Sequence, residues 1–263
     1  MSDQSWQANI ARSRENGRWD VAAQLRLAAS FLTIIPLGSL QADNAVVAAS
    51  FRWFPLVGFL LGAALAIEDR ILLLVFPPIL SAAIVILSLT AVTGAVHLDA
   101  LADTADALGA GRDRSRALAI LRDSRIGSFG AAAIVLSLGL KIIALGAVPA
   151  SHRFVALFTA AGLARWAMVA VAGGLEYLRG QGGAGASLLQ RDARSIVVAS
   201  ITAAVAVAAT MSPRAIESAL VAILATAGAR WFYRRWLGGV TGDLIGACGE
   251  IVEIAVLATF AAS

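Results

Sequence analysis

Three aspartates carry the first chemical signal in this chain. Asp99, Asp103 and Asp106 stand at i, i+4 and i+7 in the run His97-Leu98-Asp99-Ala100-Leu101-Ala102-Asp103-Thr104-Ala105-Asp106. On a helix this spacing sets all three carboxylates on one face. Three like charges on one face repel unless a cation joins them. A hard divalent cation with oxygen ligands, Mg2+, suits such a set, and Mg2+ usually brings phosphate chemistry with it. A solvated acidic first turn, favoured by the helix dipole, accounts for one aspartate well and for three in register poorly. Asp99, Asp103 and Asp106 are therefore candidate metal ligands and candidate catalytic groups. His97 falls roughly on the opposite helix face from Asp99. It could orient a hydroxyl or phosphate, act as a base, or simply be hydrogen-bonded at an interface.

Two further constellations could serve the same chemistry. In Arg122-Asp123-Ser124-Arg125-Ile126-Gly127 the two arginines are suited to clamp phosphate in the bidentate manner. Gly127 and the helix start that follows favour an anion. A positive membrane anchor would explain the arginines but not Asp123 beside them. The third constellation is Thr241-Gly242-Asp243, continuing to Glu250 and Glu253. Asp243 reads as the cap of the last helix or as a further metal ligand. Glu250 and Glu253 lie in an otherwise apolar segment, where a carboxylate costs at least ~2.5 kcal/mol. They need partners, and Arg52, Lys141 and Arg165, themselves in apolar segments, are the natural ones. The stretch Gly180–Gly185 could cradle a phosphate with backbone N–H groups or be a flexible loop.

The elements that position these residues must be membrane spans. Of the 263 residues, 59% are hydrophobic and only 14% charged, against about half and a quarter in soluble domains. Apolar runs near Phe54–Ile67, Ile71–Val96, Phe129–Val148, Phe154–Leu175, Ile196–Met211, Ala215–Ala229 and Leu244–Ala262 predict six or seven spans. The expected fold is an all-α polytopic integral membrane helical bundle. Ala22–Leu37, interrupted by Arg26 and stopped by Pro36, predicts an amphipathic or re-entrant N-terminal element. Residues 1–263 form one membrane-embedded domain in this reading. Residues 1–20 are a polar cytoplasmic segment, with no secretory signal.

Of the 21 basic residues, 15 fall before the first span or in 112–125, 179–194 and 230–235, against three in the intervening loops. The positive-inside rule puts the basic loops, and the aspartate face with them, in the cytoplasm. It also explains the net charge of +4 without nucleic acid as a partner. The single cysteine, Cys248, and the two histidines exclude an internal disulfide and zinc or iron–sulfur clusters. Cys248 reads as a packing residue.

Together these motifs resemble a known family. The run from His97 to Gly130, Ala164-Arg165-Trp166 and Thr241–Glu250 are similar, in order and spacing, to the adenosylcobinamide-GDP ribazoletransferases, the cobalamin 5'-phosphate synthases of bacterial corrinoid assembly. Phe31–Pro36 and Phe51–Gly58 match as well, so the resemblance runs from about residue 25 to the C-terminus. It implies an inner-membrane, Mg2+-dependent enzyme that joins adenosylcobinamide-GDP to alpha-ribazole or its 5'-phosphate and releases GMP. The family's acidic motif falls on His97, Asp99, Asp103 and Asp106. Its second motif falls on Asp123, Ser124, Arg125 and Gly127, and its last on Thr241, Gly242, Asp243, Gly246 and Glu250. The expected metal ligands are Asp99, Asp103, Asp106 and Asp243. The expected substrate contacts are Arg122, Asp123, Ser124, Arg125, Gly127, Arg165, Thr241 and Glu250. Ala100 and Ala107 stand where the family usually has glycine. The lipid bilayer is the expected environment, with room for a homo-oligomer. Two other classes share some of these features: a CDP-alcohol-type phosphotransferase, whose Ala-Arg is missing after the first acids, and a secondary transporter, which predicts inverted repeats.

Overall fold

The computed structural model describes residues 21–37, 44–123, 125–178 and 193–262. Ser124, the 1–20 segment and the Gly180–Gly185 stretch lie outside the described residues.

The chain is helical almost throughout. Two short helices, α1 (Val21–Leu32) and α2 (Asn44–Ser50), precede a 3-10 turn at Phe51–Trp53. Long helices follow: α3 (Phe54–Leu72), α4 (Pro78–Val92) and α5 (Val96–Leu108). After the short α6 (Arg114–Ile120) come α7 (Ser128–Ala147) and α8 (Arg153–Ala172). Then come α9 (Ala193–Ala209), α10 (Pro213–Trp236) and α11 (Gly242–Ala261). Among the described residues five helices are long and apolar enough to cross a membrane, and the bent pair α4–α5 is a sixth candidate. The 17-residue α9 is apolar but shorter. The architecture is an all-α polytopic membrane bundle.

Prolines set several boundaries. Pro55, Pro78 and Pro213 occupy first-turn positions, where a missing N–H costs nothing. The expected apolar run Ile71–Val96 is not one element. The chain turns at Leu73–Phe76 before Pro77, and it turns again at Gly94 (φ 62°) and Ala95 (φ 56°). Two consecutive left-handed residues cannot continue a right-handed helix, so α5 leaves α4 at 89°. The aspartates thus follow a sharp bend rather than prolonging a straight span.

Helices α8 and α11 form the centre. Helix α8 buries 15 of its 20 residues and α11 buries 12 of 20. The outer helices α7 and α10 present Val135, Leu136, Leu140, Ile143, Ile216, Leu220 and Leu224 outward, as lipid-facing helices do. The closest helix pair is α3 with α8. A Cβ at Gly58 would lie 2.5 Å from the Ala161 carbonyl oxygen, and one at Gly62 2.5 Å from that of Leu157. In lipid, helices gain little from burying apolar side chains. Glycines four apart let backbones touch and supply the packing instead.

Two ion clusters sit inside the bundle. Arg153 meets Asp69 with its Nε at 2.7 Å and one terminal nitrogen at 2.5 Å. It also donates to the Leu145 carbonyl, and Ser81 donates to Asp69. This cluster ties the ends of α3 and α7 to the starts of α4 and α8. The second joins α7, α8 and α11: Lys141 to Glu250 at 2.6 Å and to Glu253 at 2.9 Å, and Arg165 to Glu253 at 2.6 Å.

One feature escapes the all-helical pattern. Glu176–Tyr177 and Gly239–Val240 pair as a two-residue parallel bridge. It fastens the chain after α8 to the chain before α11.

Candidate active site

Helix α5 forms as expected, and its aspartates share a face, but they do not share surroundings. Asp99 is exposed and lines a cavity of about 270 Å3. Asp103, one turn on, is half-buried. Asp106 accepts hydrogen bonds from the backbone N–H of Gly127 at 2.7 Å and of Gly130 at 2.8 Å. Gly127 is the N-cap of α7 and has no side chain with which to cap it, so Asp106 supplies the acceptors that free helix N–H groups require. A Cβ at either glycine would collide with this carboxylate. At 1.5 Å rise per residue, Asp99 and Asp106 stand about 10 Å apart along α5.

Asp243 returns to Asp99 from the other end of the sequence. Both line the same cavity, with His97, Ala100, Gly242 and Gly246. Thr241, not Asp243, is the cap of α11: its Oγ1 accepts from the Leu244 N–H at 3.3 Å. The same hydroxyl donates to Asp243 at 3.3 Å. With the cap supplied by Thr241, Asp243 sits in the first turn, where the positive end of the helix stabilises a carboxylate. Gly246 lets α5 and α11 approach, since a Cβ there would lie 2.6 Å from the Ala100 Cβ. At Ala100, where the resemblance leads one to expect glycine, the alanine methyl fills part of this contact.

His97 is 8% exposed and lies on the cavity wall. A Cβ built at Gly246 would lie 3.7 Å from its Cδ2, so the ring packs against α11. Of the expected substrate contacts, Glu250 and Arg165 belong to that buried cluster rather than to the cavity wall. Ser137 donates to Glu250 at 3.1 Å, and Arg165 donates to Glu253.

The Arg122–Gly127 segment lies apart from the cavity wall. Arg122 and Arg125 are exposed. Asp123 accepts from the Arg125 guanidinium at 2.6 and 3.0 Å and from its backbone N–H at 3.1 Å. The guanidinium bonds, with the backbone bond behind them, hold the Asp123 carboxyl below its ordinary value of 3.8. The anchor reading left Asp123 unexplained. Here it shapes the turn and orients Arg125. Two bonds to α10 steady the preceding loop: Arg114 to the Leu237 carbonyl at 2.8 Å and Trp236 to the Gly111 carbonyl at 3.0 Å.

Sequence reasoning missed several cavity residues. Tyr177 reaches the wall because the two-residue bridge draws it toward α11; nothing local to Tyr177 signals this. Met168 and Ile245 look like ordinary core. Phe31, Phe51 and Phe54 also line the cavity, and the only signal for them was their place in the Phe31–Pro36 and Phe51–Gly58 segments of the resemblance.

Among the described residues no three His, Cys, Asp or Glu side chains converge as a metal set. Two carboxylates on one cavity nevertheless fit Mg2+, which commonly takes one or two protein carboxylates and completes its shell with water and substrate phosphate.

Comparison with known proteins places the chain in a family. The family model described as cobalamin-5-phosphate synthase matches residues 24–261. An adenosylcobinamide-GDP ribazoletransferase of Syntrophobacter fumaroxidans is 41% identical over 239 residues, 89% of this chain and 96% of that protein. One of Bradyrhizobium diazoefficiens is 38% identical, covering 92% of this chain and 95% of that protein. One of Desulforamulus reducens is 34% identical over 89% and 94%. No solved structure matches. Matched over nearly its whole described length, the chain belongs to the cobalamin-5-phosphate synthase family.

Proposed function

We propose that this chain joins adenosylcobinamide-GDP to alpha-ribazole, or to its 5'-phosphate, and releases GMP. The observation that carries the reading is the meeting of Asp99 and Asp243, from distant parts of the sequence, on one cavity beside His97. The family membership supplies the reaction, and that cavity supplies acidic oxygens and an imidazole where such a reaction needs them.

In this reading a ribose hydroxyl of the acceptor attacks the phosphorus attached to the corrinoid arm. A new O–P bond forms there, and the bond to the bridging oxygen breaks, so that GMP leaves with that oxygen. His97, or one of the aspartates beside it, takes the hydroxyl proton. Asp99 and Asp243, with Asp103 one turn away, would hold Mg2+. When bound, the ion would neutralise charge on the diphosphate and on departing GMP. Asp106 contributes through α7, whose first turn it caps. Arg122 and Arg125 are exposed on the segment leading into that turn and meet phosphate oxygens of the incoming diphosphate, with Ser124 as a further contact. Thr241 and Gly127 act through backbone placement, and Arg165 and Glu250 act from behind His97. The bundle lies in the bacterial inner membrane with the cavity toward the cytoplasm, a reading supported by the concentration of arginines in 112–125 and 230–235.

The test is GMP release by purified, lipid-reconstituted protein given adenosylcobinamide-GDP, alpha-ribazole and Mg2+. Release should require all three and fall at least about a hundredfold in Asp243→Asn, with the unfolding midpoint retained. A reconstituted, folded protein that releases no GMP would overturn the reading.

A further inference from the structure

The cavity at Asp99 is lined by two chemically different sets of side chains. His97, Asp99 and Asp243 make one. Phe31, Phe51 and Phe54 make the other, packed with ring centroids 5.7, 6.5 and 4.5 Å apart. These rings come from three separate elements: the end of α1, the 3-10 turn and the first residue of α3. A hydrogen bond of 3.0 Å from Trp53 Nε1 to Gln24 holds the first of these against the second. Phe51 and Phe54 are each 5% exposed and Phe31 is 37% exposed, so two of the rings are fixed in the core and the third stands open.

The volume restricts what can enter. About 270 Å3 is at or just below the usual lower limit for small-molecule pockets, roughly 300 Å3. It holds a group the size of a nucleoside base with part of its sugar. A corrin macrocycle is far too large. The reaction proposed above brings together one substrate of each kind. The acceptor is a flat aromatic base on a ribose, with an apolar end and a hydroxylated end, and the two sets of side chains match those ends.

Resting on the proposed reaction, we propose that this cavity is the acceptor subsite. The aromatic base of the ribazole lies against Phe31, Phe51 and Phe54. The ribose hydroxyls turn toward His97, Asp99 and Asp243. The corrinoid stays outside and presents only its diphosphate at the mouth. Aromatic rings prefer offset or edge-on contact with another ring, which selects a flat base. The hydroxyl to be phosphorylated then starts beside the groups that take its proton, and its motion is limited before the corrinoid arrives. Phe31, Phe51 and Phe54 thereby determine acceptor affinity without touching the reacting phosphorus.

The test is steady-state GMP release with each substrate varied in turn, for the wild-type chain, Phe51→Leu and Phe54→Leu. The KM for alpha-ribazole should rise roughly five- to tenfold in each variant, while that for adenosylcobinamide-GDP stays within about twofold. A rise in the corrinoid KM instead, or no change in either, would overturn the assignment. The wild-type chain supplies a second measurement that needs no variant to fold. Free 5,6-dimethylbenzimidazole should inhibit competitively against alpha-ribazole and not against adenosylcobinamide-GDP. Competition with the corrinoid, or no inhibition at saturating concentration, would also overturn it. Wild-type protein that releases no GMP is a different failure, since it removes the reaction on which the assignment rests.

Discussion

The two buried ion clusters use the same chemistry for different ends. In the Asp69–Arg153 cluster one carboxylate meets one guanidinium through two nitrogens, and Ser81 and the Leu145 carbonyl complete the set. It ties helix ends that lie away from the cavity. In the second cluster two carboxylates meet two cations at mid-helix positions of α7, α8 and α11. Arg165 Nε there finds no hydrogen-bond partner among the described residues. A closed pair with fixed geometry can only hold. A neutral quartet that joins three helices at mid-length and grips the helix carrying Asp243 holds and also aligns.

The comparison can be broken by substitution. The largest effect is expected at the closed pair. Arg153→Met leaves Asp69 buried without its counter-charge and should cost about 3–5 kcal/mol of stability, read as a lowered unfolding midpoint in detergent. Removing both partners, as Asp69→Leu with Arg153→Met, should restore most of that stability and leave GMP release per folded molecule unchanged. Lost activity in the stable double variant would show that the closed pair aligns as well. Next is Glu253→Gln, which leaves Lys141 to Glu250 and weakens the hold on Arg165. Its stability cost should be smaller, about 1–3 kcal/mol, but GMP release per folded molecule should fall about tenfold or more. Full activity in the folded protein would reduce the quartet to a second staple. The smallest effect belongs to the exposed Asp123–Arg125 pair. Asp123→Asn should leave the unfolding midpoint unmoved, as exposed pairs contribute little. Because Arg125 holds the Asp123 carboxyl below 3.8, any contribution of the pair is complete above that pH and lost only as pH falls through the lowered value. GMP release between pH 5 and 8 should therefore show no titration that Asp123→Asn removes.

The buried charges also show what was legible in the sequence. Glu250 and Glu253 in an apolar run demanded cationic partners, and Lys141 and Arg165 serve. That inference needed only the cost of charge in lipid. Asp69–Arg153 was not legible, because Arg153 reads as a loop residue and nothing local marks its distant partner. The helical face of Asp99, Asp103 and Asp106 was legible from spacing. The engagement of Asp106 by Gly127 and Gly130 was not, because that contact depends on where α7 begins relative to α5. Asp243 was visible as a candidate ligand, but its neighbour Thr241 does the capping. The bend at Gly94–Ala95 was hidden because apolar composition runs through it unchanged. Composition reports the solvent a segment prefers and says nothing of its direction.

That bend governs how the acidic helix meets its surroundings. Along a straight continuation of α4, successive aspartates would differ in depth. On a helix turned by 89° they are instead spread over about 10 Å across that line. The whole acidic face can then stay at the margin of the hydrocarbon, where carboxylates are least costly. The right angle exchanges length along the span for breadth across it.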